Sequence, residues 1–172
     1  MKISSKILFL IFILLLFESC SSTKYYMNKN KHITVKQINK IYKQNGNVYY
    51  LYSTYSNNST IWTYSENRMI IYLLKNGRIN NKQVFYGINA IDCPQLSINE
   101  LRKDLYSKCA LELDGDCFGF MISVAGDKRE ASFYVGINCL KHVEFESCLL
   151  NRIVGDINKY GLWPFDYTVS EL

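Results

Sequence analysis

Apolar and polar positions follow three different rhythms along this chain. Lys2 and Lys6 open onto an unbroken apolar run, Ile7–Phe17, which ends at Glu18-Ser19-Cys20. A basic start, a short apolar stretch and a small residue at the cut predict a secretory signal over 1–19 rather than a spanning helix. Eleven such residues in a helix cover about 16 Å, roughly half of a hydrocarbon core of about 30 Å. A polar, Lys/Asn-rich stretch follows and reads as a tether over 20–31. The body then changes to a helical rhythm. Thr34 and Gln37 form a capping box, Ile33 is placed to staple onto Ile38, and Val35, Ile38, Ile41 and Tyr42 share one face up to a stop at Asn45-Gly46.

A two-residue rhythm takes over next. Val48–Tyr55, Thr60–Tyr64 and Arg68–Leu74 are β-branched and aromatic, and polar turns separate them at Asn57-Asn58-Ser59, Ser65-Glu66-Asn67 and Asn76-Gly77. This spacing predicts an antiparallel meander with a fourth strand around Gln83–Tyr86. Pro94 breaks the chain before a second capped helix, with Ser97 and Glu100 as its box, Leu96 and Leu101 as its staple, and Ile98, Leu101 and Leu105 facing a core up to about Lys108. Further on, Phe118–Ala125 and Arg129–Ile137 read as strands about a turn at Gly126-Asp127. A helix from about Val143 to Lys159 follows, with apolar positions 145, 148, 149, 153, 157 and 160. Gly161 suits a left-handed cap, Pro164 forbids continuation, and Phe165–Val169 is expected to return as a strand. The expected fold class is α+β: a single domain over 32–172 with an antiparallel sheet (an N-terminal meander plus a C-terminal β-hairpin–α–β unit) and two or three helices packed on one face.

Composition sharpens this picture at two points. The chain holds 14 tyrosines, and residues 42, 49, 50, 52, 55, 64, 72 and 86 are all Tyr. Tyrosine favours strands and offers rigid, amphipathic contact surface. The preferred expectation is a β-sheet with one wet face; the alternative is a dedicated aromatic binding platform, for which Tyr50, Tyr52, Tyr55 and Tyr64 are the candidates. Charge is also uneven. Between Cys20 and Ser65 there are six lysines (24, 29, 31, 36, 40, 43) and no acid, whereas Glu66–Leu172 carries 12 basic and 14 acidic residues. The basic part is thus nearest the N-terminal signal, where it either lies along anionic headgroups or forms a solvated, self-repelling tether. Export disfavours a nucleic-acid partner despite the net charge of +5.

Five cysteines follow Cys20: Cys93, Cys109, Cys117, Cys139 and Cys148. In an oxidising compartment they read first as disulfides. At most two bridges can form, and spacing alone does not choose among the pairings. The preferred expectation is Cys109–Cys117 and Cys139–Cys148, with Cys93 free or intermolecular.

Two resemblances extend this reading. Ser19-Cys20-Ser21-Ser22 resembles a bacterial lipoprotein signal, in which the Cys after a small residue is acylated and becomes the first mature residue. Phe17 and Glu18 depart from that pattern. The resemblance implies lipidation at Cys20, anchorage in the cell envelope and, from Ser21, sorting to the outer membrane facing the periplasm. An ordinary signal peptide cut near Ser19 is the alternative. Separately, the run Phe120-Met121-Ile122-Ser123-Val124-Ala125-Gly126-Asp127, a second strand and a helix closed by Trp163-Pro164 together resemble the C-terminal domain of TonB-like proteins, over about 118–167. The chain contains only Pro94 and Pro164. It therefore lacks the Pro-rich spacer of energy transducers, and the resemblance implies fold without transduction.

The chemical inventory is thin. The chain has two histidines, His32 and His142. Cys139-x-x-His142 with Cys148 nearby could supply zinc ligands, or Cys139 and His142 a nucleophile and base, but disulfide formation competes and no orienting acid is evident. Asp114-Gly115-Asp116 begins like a calcium loop, then fails at Phe118 and Ala125. Phosphate loops and nucleophile elbows are absent. The expectation is therefore a non-enzymatic envelope lipoprotein that binds an unidentified envelope protein, with no metal and no small-molecule cofactor. The alternatives are an immunity-type lipoprotein that neutralises an exported toxin, and a Cys-dependent enzyme or zinc-binding protein.

Overall fold

The structure is a computed structural model; it describes residues 31–53, 58–91, 93 and 97–163, with the backbone alone at 113–115 and 137–138. Helix α1 occupies 31–45. Strands β1 (Asn47–Tyr52), β2 (Asn58–Ser65), β3 (Arg68–Lys75) and β4 (Arg78–Tyr86) form the meander. Helix α2 (Ile98–Lys108) leads to the hairpin of β5 (Leu111–Val124) and β6 (Asp127–Val135), followed by α3 (Ile137–His142) and α4 (Cys148–Tyr160).

Every neighbouring strand pair is antiparallel, and the sheet order is β4-β3-β2-β1-β5-β6. Three hairpins turn on two-residue loops with positive φ at both positions: Glu66-Asn67, Asn76-Gly77 and Ala125-Gly126. Such turns match the right-handed twist of the flanking strands. The last turn therefore lies one residue before the expected Gly126-Asp127. The fourth strand and the first hairpin strand are both longer than their apolar residues predict. β4 begins at Arg78, and β5 begins at Leu111 with a break in register between Leu111 and Asp116. Asp114-Gly115-Asp116 is accordingly part of a strand.

The α+β class is present as expected, with three helices on one face. Tyr49, Trp62, Ile71, Phe118, Phe120 and Phe133 point from the sheet into a core closed by Leu101 and Leu105 of α2, Leu140 of α3, and Leu149, Ile153 and Ile157 of α4. Ring packing is close here: Phe118 and Phe133 stack at 4.9 Å, and Tyr64 meets Tyr49 edge-on at 5.6 Å. Helix α1 lies on the opposite face, where Ile38 and Ile41 cover Val48, Tyr50, Ile61 and Cys117. Its buried stripe is Thr34, Ile38 and Ile41, while Val35 is exposed. The helix already includes 31–33, so Thr34 is an interior residue and not the expected N-cap. Gly46 (φ +71) ends α1, its N–H donating to Tyr42 O at 2.8 Å.

Helix α2 is capped as predicted, with Glu100 N–H on Ser97 Oγ at 3.3 Å. The expected helix over 143–159 begins only at Cys148, as α4, and the separate α3 precedes the expected range. Ser147 caps α4 by accepting from Leu150 N–H, and its own N–H donates to Asp104 Oδ2 at 2.8 Å. The Asn151 side chain accepts from Phe145 N–H at 2.8 Å and donates back to Phe145 O. These bonds hold 143–147 out of the helix. Gly161 provides the left-handed cap (φ 61) that the sequence called for. Leu96, Pro164 and the strand expected at Phe165–Val169 lie outside the described residues.

Candidate functional site

Strand parity separates the tyrosines. Tyr50 and Tyr52 face α1, whereas Tyr64 faces α4 and is buried. The candidate platform of Tyr50, Tyr52, Tyr55 and Tyr64 is therefore not formed; Tyr55 lies outside the described residues. Tyr64 donates its hydroxyl hydrogen to the buried carboxylate of Asp156. Asp156 also receives Arg152 Nε at 3.2 Å, and Arg152 reaches on to Asn89 O at 3.4 Å. This chain of bonds ties α4 to β2 and to the segment after β4. Burial, and then the Asp156 carboxylate, raise the Tyr64 pKa; burial likewise raises that of Tyr49.

Parity also decides the disulfides. Phe118 enters the three-helix core, so Cys117 beside it faces α1, on the far side of the sheet from Cys109. The expected Cys109–Cys117 and Cys139–Cys148 pairs are replaced by Cys109–Cys139 (Cα–Cα 5.8 Å) and Cys93–Cys148 (Cα–Cα 6.0 Å). One bridge joins the end of α2 to α3, and the other joins the approach to α2 to the start of α4. Cys93 is thus bonded, and Cys117 is the free thiol among the described residues. Both cysteines of the expected zinc set are consumed by the bridges. Among the described residues, no three His, Cys, Asp or Glu side chains are grouped to hold a metal. His32 and His142 are both exposed.

A cavity of about 420 Å³ lies beneath the start of α1, opening at the outer edge of β6. Its floor includes Tyr50, Tyr52, Cys117 and Met121, and Lys31 and Arg102 stand at its rim. Tyr50 crosses over Gly119, where any Cβ would meet the ring, and bonds to Ser132 Oγ at 2.6 Å. Burial pushes the Cys117 thiol up to about 11, which makes it a poor nucleophile.

The two sheet edges differ. The outer edge of β6 is blunted: Lys128 pairs with Glu130, and Tyr134 N–H is taken by the Tyr106 hydroxyl of α2 at 3.3 Å. β4 is the other edge; no strand among the described residues pairs with its outer side, although Lys82 N–H is held by Asn81 Oδ1 at 2.7 Å. Ile79, Val84 and Tyr86 share the face away from α2–α4 and are 44%, 38% and 77% exposed. The surrounding charges are Arg68, Lys75, Arg78 and Lys82 against Glu66, which is engaged by Arg68 at 3.7 Å. This surface was not singled out from sequence. Its signal was present in the alternation Lys82, Val84, Tyr86, but which strand lies at an edge is a property of the assembled sheet.

No family model, no curated protein and no solved structure matches this chain. The hairpin of β5 and β6 is followed by α3 and α4, and β5 pairs with β1 of the meander. Among the described residues, no helix is long and apolar enough to cross a membrane.

Proposed function

We propose that this protein is an envelope lipoprotein, anchored through Cys20, that binds a partner protein by accepting an extended acidic segment along β4, and that it catalyses no reaction. The observation that carries this reading is the open β4 edge. Along the nine residues of β4, alternate residues present outward backbone groups beside an exposed apolar row, the arrangement used in strand addition. The register shift lies between Leu73 and Leu74, so Asn81–Tyr86 is regular; an incoming strand pairs at Val84 and Tyr86 and displaces the Asn81 side chain from Lys82 N–H. Four cations against one engaged carboxylate select a partner strand that alternates acidic and apolar side chains. β6 belongs to the TonB-like half, but its charges and the Tyr106 hydroxyl make it the poorer edge.

A photoreactive residue in place of Val84, in the intact anchored chain in cells, tests this. Adducts should form on an acidic extended segment and fall at least tenfold in the Arg78→Glu/Lys82→Glu variant. The same photoreactive residue at Arg129 on β6 should give none. Equal adducts from both edges, or adducts indifferent to charge reversal, would reject the proposal. Cys20→Ala should abolish fatty-acid labelling. If the captured segment belongs to an exported toxin, cells lacking this protein should become sensitive to that toxin, which is the immunity form of the same reading.

A further inference from the structure

We infer that the cavity under α1 is a binding site for a small amphipathic carboxylate with an unbranched apolar chain. This inference is independent of the β4 surface. At about 420 Å³ the cavity is within the range of small-ligand sites. Its walls divide by chemistry: Val35, Ile38 and Met121 are apolar, Met121 being the flexible one, and Tyr50, Tyr52 and Tyr134 are aromatic. Methionine beside aliphatic and ring surfaces suits a flexible chain, because it repacks at little cost.

The polar groups select the head. Thr34 is 2% exposed and lines the cavity, and its Oγ1 has no hydrogen-bond partner among the described residues. A buried hydroxyl in that state is disfavoured until a ligand atom bonds to it. Lys31 stands 3.5 Å from the Tyr134 hydroxyl, and Arg102 reaches the rim from α2 without an ion pair among the described residues. The carboxylate at the rim, Glu130, is engaged by Lys128. The uncompensated charge facing the cavity is therefore positive. A carboxylate has acceptor sites for two cations and a hydroxyl at once. Neutral alcohols lack that capacity, and cationic amphiphiles would be repelled.

Titration calorimetry of the chain carrying Cys20→Ala, with decanoate, decanol and decyltrimethylammonium as probes, tests the inference. Decanoate should bind saturably at one per chain, and both other probes at least tenfold more weakly. Arg102→Glu and Lys31→Glu, both at exposed positions, should each weaken decanoate at least tenfold, and Thr34→Val about threefold. No saturable decanoate binding, decanol binding as tightly as decanoate, or affinity unchanged in the Arg102→Glu variant would each overturn it. Far-ultraviolet circular dichroism establishes that each variant is folded before it is titrated.

Discussion

Raising the pH above 10 ionises tyrosine in an unfolded chain, and this fold resists that ionisation at three buried positions. Tyr49, Tyr50 and Tyr64 all have pKa values raised by burial. The unfolded state then loses its tyrosine protons near pH 10 while the folded state keeps them. Stability is thus fully present below pH 10 and falls as pH rises above it. Each such group contributes a slope of about −1.4 kcal/mol per pH unit, so the three together remove about 4 kcal/mol by pH 11 and about 8 by pH 12. Cys117, pushed from 9.0 to about 11, has the same sign and removes a further ~2 kcal/mol by pH 11. Against a total stability of about 5–15 kcal/mol for a domain, the chain should unfold cooperatively between about pH 11 and 12. Phenolate absorbance and far-ultraviolet circular dichroism, followed on one sample, should therefore change together for this buried group of tyrosines. Cys117→Ala removes thiol–disulfide exchange as a cause and should leave the transition in place. If all tyrosines titrate near pH 10 with the circular dichroism unchanged, the burial argument is wrong.

Three further outcomes follow from named contacts. Gly119→Ala places a Cβ 2.5 Å from the Ala131 carbonyl oxygen and against the Tyr50 ring; it should lower stability by about 1–3 kcal/mol, and an unchanged urea midpoint would contradict the close approach. Tyr64→Phe leaves the buried Asp156 carboxylate without its hydroxyl donor and should cost about 1.5–3 kcal/mol; in a double-mutant cycle with Asp156→Asn the two losses should fall short of additive. Replacing Cys109 and Cys139 by Ser opens a bridge of sequence separation 30 and should cost about 3.5 kcal/mol on the loop-entropy account, read as a shift in the urea transition under non-reducing conditions.

Local signals were accurate wherever neighbours in sequence decide the geometry. Ser97 caps α2, Gly161 closes α4, and Asn76-Gly77 turns β3 into β4 as their residue types require. They failed where a distant residue competes. The periodic apolar positions at 145 and 148 do continue a helical face, but Asp104 and Asn151 take the backbone groups of residues 145 and 147 first. Thr34 has the chemistry of an N-cap, yet α1 begins before it, and its side chain is buried within the helix instead of capping its start.

The candidate surfaces divide in the same way. Alternation along each strand, the helix caps and the α+β class are written into the order of residues, because they depend on periods of two and of about 3.6 and on single turn positions. That Tyr50 and Tyr64 belong to opposite faces, that Cys109 meets Cys139 while Cys117 is left unpaired among the described residues, and that β4 rather than β2 is left at an edge depend on strand order. Strand order is settled by which apolar faces cover one another once the chain collapses. A residue's own neighbours carry no record of that choice, so the binding edge, the cavity and the disulfide map exist only in the assembled sheet.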